Sequence, residues 1–351
     1  MGELKPSLFV GVPRVFDRIY ARVMGMVKEG SPVKRFLFNW GLRRKMNFMR
    51  RGKSQANASP IFDKIVFSKV AARLGGKVKA IVSGGAPLSA HVEDFLRVAM
   101  CCPVVQGYGL TETCAASFIA SADKINHSAT VGPPTPCTEL RLESVPEMNY
   151  DALDPEEPKG EILIRSPGNF IGYYKDQTKT DEVLEKDGWF HTGDIGVLTK
   201  AGALKIIDRK KNIFKLSQGE YVAVEKLESV YKKNLVSEQV WVYGNSFKST
   251  LIAVVVPSAE LKKWAAANGI EGDMAAICKN DKAKEYVLSE LTSTGKAEKL
   301  KGFELVMAVQ LVPTPFTIEE DLLTPTFKFK RPQLQKRFQK EIDALYAAMK
   351  E

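Results

Sequence analysis

No apolar run among the 351 residues is long enough to cross a bilayer, so a membrane-spanning helix is not expected. Histidine is scarce, with three in the chain, and none of the five cysteines (Cys101, Cys102, Cys114, Cys137, Cys278) has metal-ligand spacing. An odd, unpatterned cysteine set argues against a disulfide scaffold and reads as buried thiols in a reducing compartment. Internal repeats and low-complexity tails are missing. A phosphate loop of Walker spacing is missing too: Gly295-Lys296 in "LTSTGKAEKLKG" lacks both the spacing and a preceding strand. No nucleic-acid-binding motif occurs. The most local absence is acid, with no Asp or Glu from Val33 to Lys53 in "VKRFLFNWGLRRKMNFMRRGK". That stretch fits a packed helical hairpin, a peripheral membrane contact with cations among headgroups, or a nucleic-acid contact. The hairpin is preferred, because Phe36, Phe38, Leu42 and Phe48 scatter round a helix that Gly41 interrupts.

What is present is a globular mix, 44% hydrophobic and 26% charged, with length for two domains. The net charge of +10 favours phosphate-rich ligands or anionic membranes without choosing between them. Helical and strand patterns alternate, as in an α/β protein. "VKAIVSGGAPLS" predicts a strand ending in a glycine pair, then a helix from about Ala90 to Met100. "PVVQGYGLTET" repeats the strand-to-glycine theme. The span Arg141 to Pro158, rich in Pro, Glu and Asp, reads as a solvated connection, and "KGEILIRSPG" as a strand at the surface of a smaller sheet. "ALKIIDRKKNIFKLSQGEYVAVEKLE" predicts strand, basic turn, strand, helix, and "QVWVYGN" with "STLIAVVVP" a pair of strands. A domain boundary is expected near Asp208 to Lys211.

The loops carry the chemistry. Open α/β sheets bind ligands beyond the carboxyl ends of their strands, and "SGGAP" there offers backbone groups with little obstruction. Val104 and Val105 look like a strand end, after which Gly107 and Gly109 permit close approach. Tyr108 supplies a flat face on which a purine stacks. Glu112 is a hard oxygen donor suited to Mg²⁺, and Thr111 a phosphate donor. Structural rivals exist: "GYG" as a mere turn, Glu112 as a helix-start carboxylate. In "GWFHTGDIG", Asp194 lies in a glycine-bounded turn where a carboxylate accepts from ribose hydroxyls, or simply stabilises the turn. His191 reads as structural. Ser83 has no His and Asp context for nucleophilic work.

Five ordered stretches resemble one family. "KPSLFVGVPRVFDRIYARV", "QGYGLTET", "GWFHTGD", "DRKKNIFKLSQGEYVAVEKLE" and "LTPTFKFKR" are similar to signatures of the adenylate-forming superfamily, and within it of the long-chain acyl-CoA synthetases. The resemblance runs from about Leu4 past Arg331. It implies part of a large α/β adenylate-forming domain over 1–208 and a small mobile α+β lid domain over 209–351.

The reaction implied has two steps: a fatty acid carboxylate attacks the α-phosphate of ATP, and the coenzyme A thiol then displaces AMP from the acyl-adenylate. Two anions meet in the first step, so positive charge must be supplied there. By resemblance, Gly85, Ala86, Pro87, Gln106, Gly107, Tyr108, Gly109 and Leu110 form the adenine side of the site. Thr111 contacts phosphate, Glu112 holds Mg²⁺, Asp194 takes the ribose, and Arg209 the ribose or phosphate. Lys328 is the lysine that bridges carboxylate and phosphate; Phe327 and Phe329 are expected to anchor one face while Lys328 and Lys330 point away. Lys210 and Lys211 mark the hinge, and Gly219 the coenzyme A path.

The departure is the family's Ser/Thr/Gly-rich phosphate loop, which these residues do not contain. The chain therefore resembles a family member without its first half, and is expected to be catalytically incomplete alone. A location inside the cell, at the endoplasmic reticulum or another organelle membrane, is expected. Two rivals stand beside the ligase: an adenylate-forming enzyme for another acid or acceptor, and a non-catalytic nucleotide-binding or interaction module.

Overall fold

Proline starts both long helices of the first unit. In the computed structural model, which describes residues 2–122 and 125–349, Pro13 opens α1 (Pro13–Glu29) and Pro32 opens α2 (Pro32–Arg50). Proline has no amide hydrogen to lose at a helix start and its φ is already helical. Gly30 and Ser31 alone separate the two, so the stretch from Val33 is one arm of a helix pair and not itself the hairpin expected there. On α1, Phe16 and Val23 are buried, with Ile19, Tyr20 and Val27 packed beside them at helical spacing. The helix α2 runs unbroken through Gly41, contrary to the expected interruption. Gly41 is buried against Phe62, and a Cβ there would sit 2.4 Å from the Phe62 ring. Packing, not chain flexibility, selects this glycine.

One turn along from Gly41, Lys45 is fully buried. Its Nζ donates to Asp63 Oδ1 at 2.6 Å, at the start of a π-helical turn, Asp63–Phe67. Fixing both charges together avoids the large cost of burying either alone.

Four strands form the first sheet: β1 (Leu8–Gly11), β2 (Ala80–Ser83), β3 (Val104–Tyr108) and β4 (Phe118–Ile119), in that order. The first three are parallel, and their register sets Gly11, Ser83 and Gln106 side by side. Helix α3 (Ala90–Ala99) connects β2 to β3 and packs Phe95 and Leu96 into the core with Phe16, Phe67 and Ile81. Tyr108 does not follow the strand as a turn residue: Gly107 and Tyr108 continue β3, paired antiparallel with Ile119 and Phe118.

A second sheet follows, with β5 (Glu139–Glu143), β6 (Lys159–Arg165), β7 (Phe190–Leu198) and β8 (Leu204–Arg209) in sequential order. The span read as a solvated connection begins inside β5, and Val145 and Met148 beyond it are buried. β6 is likewise no surface strand; it lies between β5 and β7 with five consecutive buried residues. Buried strands lose the alternation that marks a half-exposed one. Nor are all five thiols buried, because Cys114 and Cys137 are exposed.

One unit ends at Ile206 and the other begins at Ile207, within β8. In the second, β9 (Ile213–Lys215) and β10 (Tyr221–Ala223) pair as a hairpin whose turn holds Gly219 at φ +94. The helix Val224–Tyr231 leads to β11 (Ser237–Tyr243), β12 (Leu251–Pro257) and β13 (Val306–Leu311). All seven residues of β12 are buried at the centre of this sheet. The helices Asp281–Ala297 and Arg331–Ala348 serve separate cores, one with Val240 and Val255, the other with Trp241 and Val254. Arg331 forks onto buried Glu228, Nη1 to Oε1 at 2.9 Å and Nη2 to Oε2 at 2.8 Å, while Val242 N–H donates to the same Oε1.

Candidate functional site

The loop beyond β2 is shaped by a side chain from β3. Gln106, 3% exposed, accepts the Leu88 amide at 2.8 Å and donates through Nε2 to Glu93 Oε2 at 2.7 Å. Glu93 in turn accepts from Arg97 Nη2 (2.6 Å) and from the Ala129 amide (2.8 Å). Burial raises the Glu93 carboxyl above its ordinary range, against the opposing charge of Arg97. Gly85 takes φ +82, and the Gly84 amide donates to Gly11. Gly85, Ala86 and Pro87 therefore sit on a buried polar frame, in which Gln106 is a strut.

Beyond Tyr108 the chain doubles back. A Cβ on Gly109 would lie 1.5 Å from the Ala115 carbonyl oxygen, so only glycine fits there. Gly107 has no such restriction, its nearest neighbour standing at 3.7 Å. The Leu110 amide donates to Thr113 Oγ1 at 3.0 Å and closes the turn. Thr111 is exposed on this turn and Glu112 half-buried. The Phe170 amide donates to the Glu112 carbonyl at 2.7 Å, and the Tyr173 hydroxyl donates to Glu112 Oε1 at 3.0 Å. Burial first, then the Glu112 carboxylate, hold the Tyr173 phenol above its usual range, so it remains a donor. Glu112 has no lysine or arginine partner among the described residues. An oxygen donor on a rigid turn, uncommitted to a cation side chain, fits Mg²⁺.

Asp194 lies within β7, not in a turn. Gly193 has φ +69, and the register between β6 and β7 shifts here. Such a bulge re-aims a side chain. Thr192 Oγ1 donates to the Ile162 carbonyl at 2.7 Å and accepts the Asp194 amide at 3.1 Å. The carboxylate, on a residue 5% exposed, accepts the Tyr108 hydroxyl at 2.6 Å. Three expected residues, Tyr108, Glu112 and Asp194, are thus anchored on neighbouring elements of one unit. Tyr173 and Thr192, which hold Glu112 and Asp194, and Glu93, which holds Gln106, did not stand out in the sequence; the aromatic loop "NFIGYY" was the visible trace of the first. His191 is tied to Glu185, its Nε2 at 2.8 Å from Oε1.

The second unit carries the remaining residues. Arg209 ends β8 and is exposed, and Lys210 and Lys211 form a single 3-10 turn. Around Lys328 the expected strand alternation fails. Phe327 has φ +61 and is exposed, whereas Phe329 alone packs inward, edge-on to Phe316. A tight turn replaces the strand: the Thr324 amide donates to the Lys328 carbonyl at 2.8 Å and the Lys328 amide to Thr324 Oγ1 at 3.0 Å. Lys328 makes no ion pair among the described residues, while neighbouring Lys330 is paired with Asp321.

The family described as AMP-binding enzyme matches residues 1–174. Similarity to long chain acyl-CoA synthetase 4 of Arabidopsis thaliana reaches 54% identity, covering 99% of this chain and 52% of that protein. The chain carries an AMP-binding enzyme domain. It is also 50% identical to the probable CoA ligase CCL6 of Humulus lupulus, over 99% of this chain and 53% of that protein. Among solved structures of AMP-binding enzymes, the adenylation domain of a carboxylate reductase from Mycobacterium chelonae superposes with TM-score 0.77 at 31% identity. That match covers 98% of this chain and 47% of the other. An A-PCP didomain from Segniliparus rugosus, in complex with AMP, gives 0.73 at 30% identity, covering 98% and 42%. The chain spans about half the length of the curated relatives it matches.

Proposed function

We propose that this chain carries the adenine, ribose and magnesium side of a long-chain fatty acid–CoA ligase, together with its catalytic lysine. The observation that carries the reading is the Tyr108–Asp194 hydrogen bond, which joins a purine-sized aromatic face to a carboxylate suited to ribose hydroxyls. Identity of 50–54% to acyl-CoA synthetases and to a probable CoA ligase supports the thioester outcome.

In this reading Gly85, Ala86, Pro87 and the backbone of Gln106 to Leu110 border the adenine, whose face rests on Tyr108. Asp194 accepts from the ribose hydroxyls, and its bond to Tyr108 fixes the carboxylate's direction before the nucleotide arrives. Thr111 donates to the α-phosphate. Glu112 holds Mg²⁺, which when bound neutralises phosphate oxygens. A fatty acid carboxylate oxygen attacks the α-phosphorus and pyrophosphate leaves. Lys328 supplies the positive charge that this meeting of two anions requires, with Arg209 assigned to the same nucleotide. In the second step the coenzyme A thiol, passing Gly219, attacks the acyl carbonyl and AMP leaves. Lys210 and Lys211 are the hinge. No loop among these residues grips the β- and γ-phosphates, and phosphoryl chemistry depends on positioning, so the chain alone is catalytically incomplete.

The reading includes a peripheral place at an organelle membrane inside the cell, the endoplasmic reticulum first. Among the described residues no helix is long and apolar enough to cross one. The test is a chimera in which this chain replaces the matching half of a full-length acyl-CoA synthetase. Acyl-CoA formation from long-chain fatty acids is expected. AMP binding with no adenylate formed would instead make it a nucleotide-binding module, and preference for another acid would make it a different ligase.

A further inference from the structure

Residues 30–79 hold thirteen lysines and arginines and one acid, Asp63. Their net charge of +12 exceeds the +10 of the whole chain. Even that one acid is taken, because Asp63 is bonded to buried Lys45.

Apolar side chains stand exposed in the same region. On α2, Val33, Phe36, Leu37 and Trp40 are all exposed, Phe36 at 66%. Their spacing of three, four and seven residues puts them on one stripe of the helix. Phe36 and Trp40 stack with centroids 6.3 Å apart, and Trp40 packs edge-on against Phe62 at 5.2 Å. Next to Phe62, Ile61 is 71% exposed, and Ile65, one turn on, is 59% exposed. Lys64 and Lys69 flank them, both exposed. The stripe and the isoleucines therefore belong to two helical segments that meet at Gly41–Phe62 and Lys45–Asp63.

We propose that this face docks on an anionic phospholipid bilayer, with Phe36, Trp40, Ile61 and Ile65 in the acyl boundary and the surrounding cations among headgroups. The proposal deepens the peripheral membrane contact read above, naming the surface and the lipid charge. Charge complementarity selects the occupant. A second copy of the chain would bring the same basic surface against itself, since a two-fold interface is self-complementary. Single-stranded nucleic acid would use the aromatics for stacking but has no use for exposed isoleucines. Acyl chains take aliphatic and aromatic groups alike, and polybasic surfaces add attraction to acidic headgroups.

The test is cosedimentation of the purified chain with vesicles of phosphatidylcholine alone or mixed with phosphatidylserine. Binding to the mixed vesicles only, released by high salt, is expected. Trp40 is the exposed indole, and its emission should shift to the blue on binding, a change lost in Trp40→Phe. Phe36→Ser with Ile61→Ser should weaken partitioning by about tenfold or more, from the apolar area withdrawn. Lys64→Glu with Lys69→Glu, whose side chains lie outside the core, should weaken it without altering the melting temperature. Equal binding to neutral vesicles, no vesicle binding, dimerisation through the face, or displacement of vesicles by RNA would each overturn the proposal. AMP affinity, measured on the same samples, reports the nucleotide site separately. Loss of vesicle binding with AMP binding intact sinks only the surface, and the reverse result sinks only the ligase reading.

Discussion

Tyr108 and Asp194, 86 residues apart in sequence, share a 2.6 Å hydrogen bond in which the phenol donates to the carboxylate. The bond links β3 to β7, so it ties together the two sheets of the first unit at the proposed nucleotide site. Asp194→Asn keeps the size and one acceptor but removes the charge. Calorimetric affinity for AMP is expected to fall about tenfold, the scale of a charge-assisted hydrogen bond, with the melting temperature nearly unchanged. Tyr108→Phe keeps the stacking face and loses only the tie, so its loss should be smaller. Unchanged AMP affinity in the Asn variant would reduce Asp194 to a bulge residue.

Lys328 is tested by separating the half-reactions. With Lys328→Ala placed in the chimera, acyl-adenylate formation should be abolished while thioester formation from supplied acyl-adenylate survives. In the proposed role its charge is needed where carboxylate meets phosphate and not where a thiol attacks an already activated acyl group. Equal loss in both steps would remove the lysine from its assigned role.

Asp208 gives the second unit a pH dependence of known sign. Burial, then the charge of Glu225, raises its carboxyl to about 7, although the amides of Arg209 and Glu225 donate to it. A carboxyl that holds its proton more tightly when folded stabilises the fold fully below its unfolded value, about 3.9. That contribution is lost as pH rises to about 7, with a slope of at most ~1.4 kcal/mol per pH unit for one proton. Thermal melting should therefore show the wild type losing stability relative to Asp208→Asn between about pH 4 and about pH 7. Parallel melting curves of the two proteins across that range would contradict the assignment.

Gly41→Ala sets helix propensity against packing. Propensity alone favours alanine by about 1 kcal/mol. The Cβ would meet the Phe62 ring at 2.4 Å, closer than any relaxed contact, and overpacking of this kind costs about 1–3 kcal/mol. The melting temperature should fall. A rise would mean that Phe62 moves aside without loss.

Local patterns made much of this legible. The strand before "GGAPL", the helix after it and the β11–β12 pair all follow from periods of two or 3.6 residues. Gly41 defeated the pattern because its reason lies in Phe62, a side chain from another helix. Asp194 read as a turn because Gly193 supplies the turn-like φ, whereas the strand pairing that absorbs it comes from β6. Lys328 read as part of an alternating strand, but the bonds between Thr324 and Lys328 make a turn that no hydrophobic period encodes. Gln106 was visible as a neighbour of the glycine loop. Its partnership with Glu93 and Leu88 was not, because pairing of buried polar groups is a property of three dimensions. Tyr173 was hidden for the same reason.

The fork between Arg331 and Glu228 bears on how natural variants of this chain are scored. Substitution tables rank Arg331→Lys among the mildest exchanges. An ammonium cannot make two parallel bonds to one carboxylate, so the exchange leaves Glu228, buried and still accepting the Val242 amide, with half its counterion bonding. Arg331 is three residues from Lys328 and begins the helix that follows it. An allele carrying lysine there would be filed as neutral on charge and size, yet would loosen the buried pairing that holds the start of this helix to Glu228.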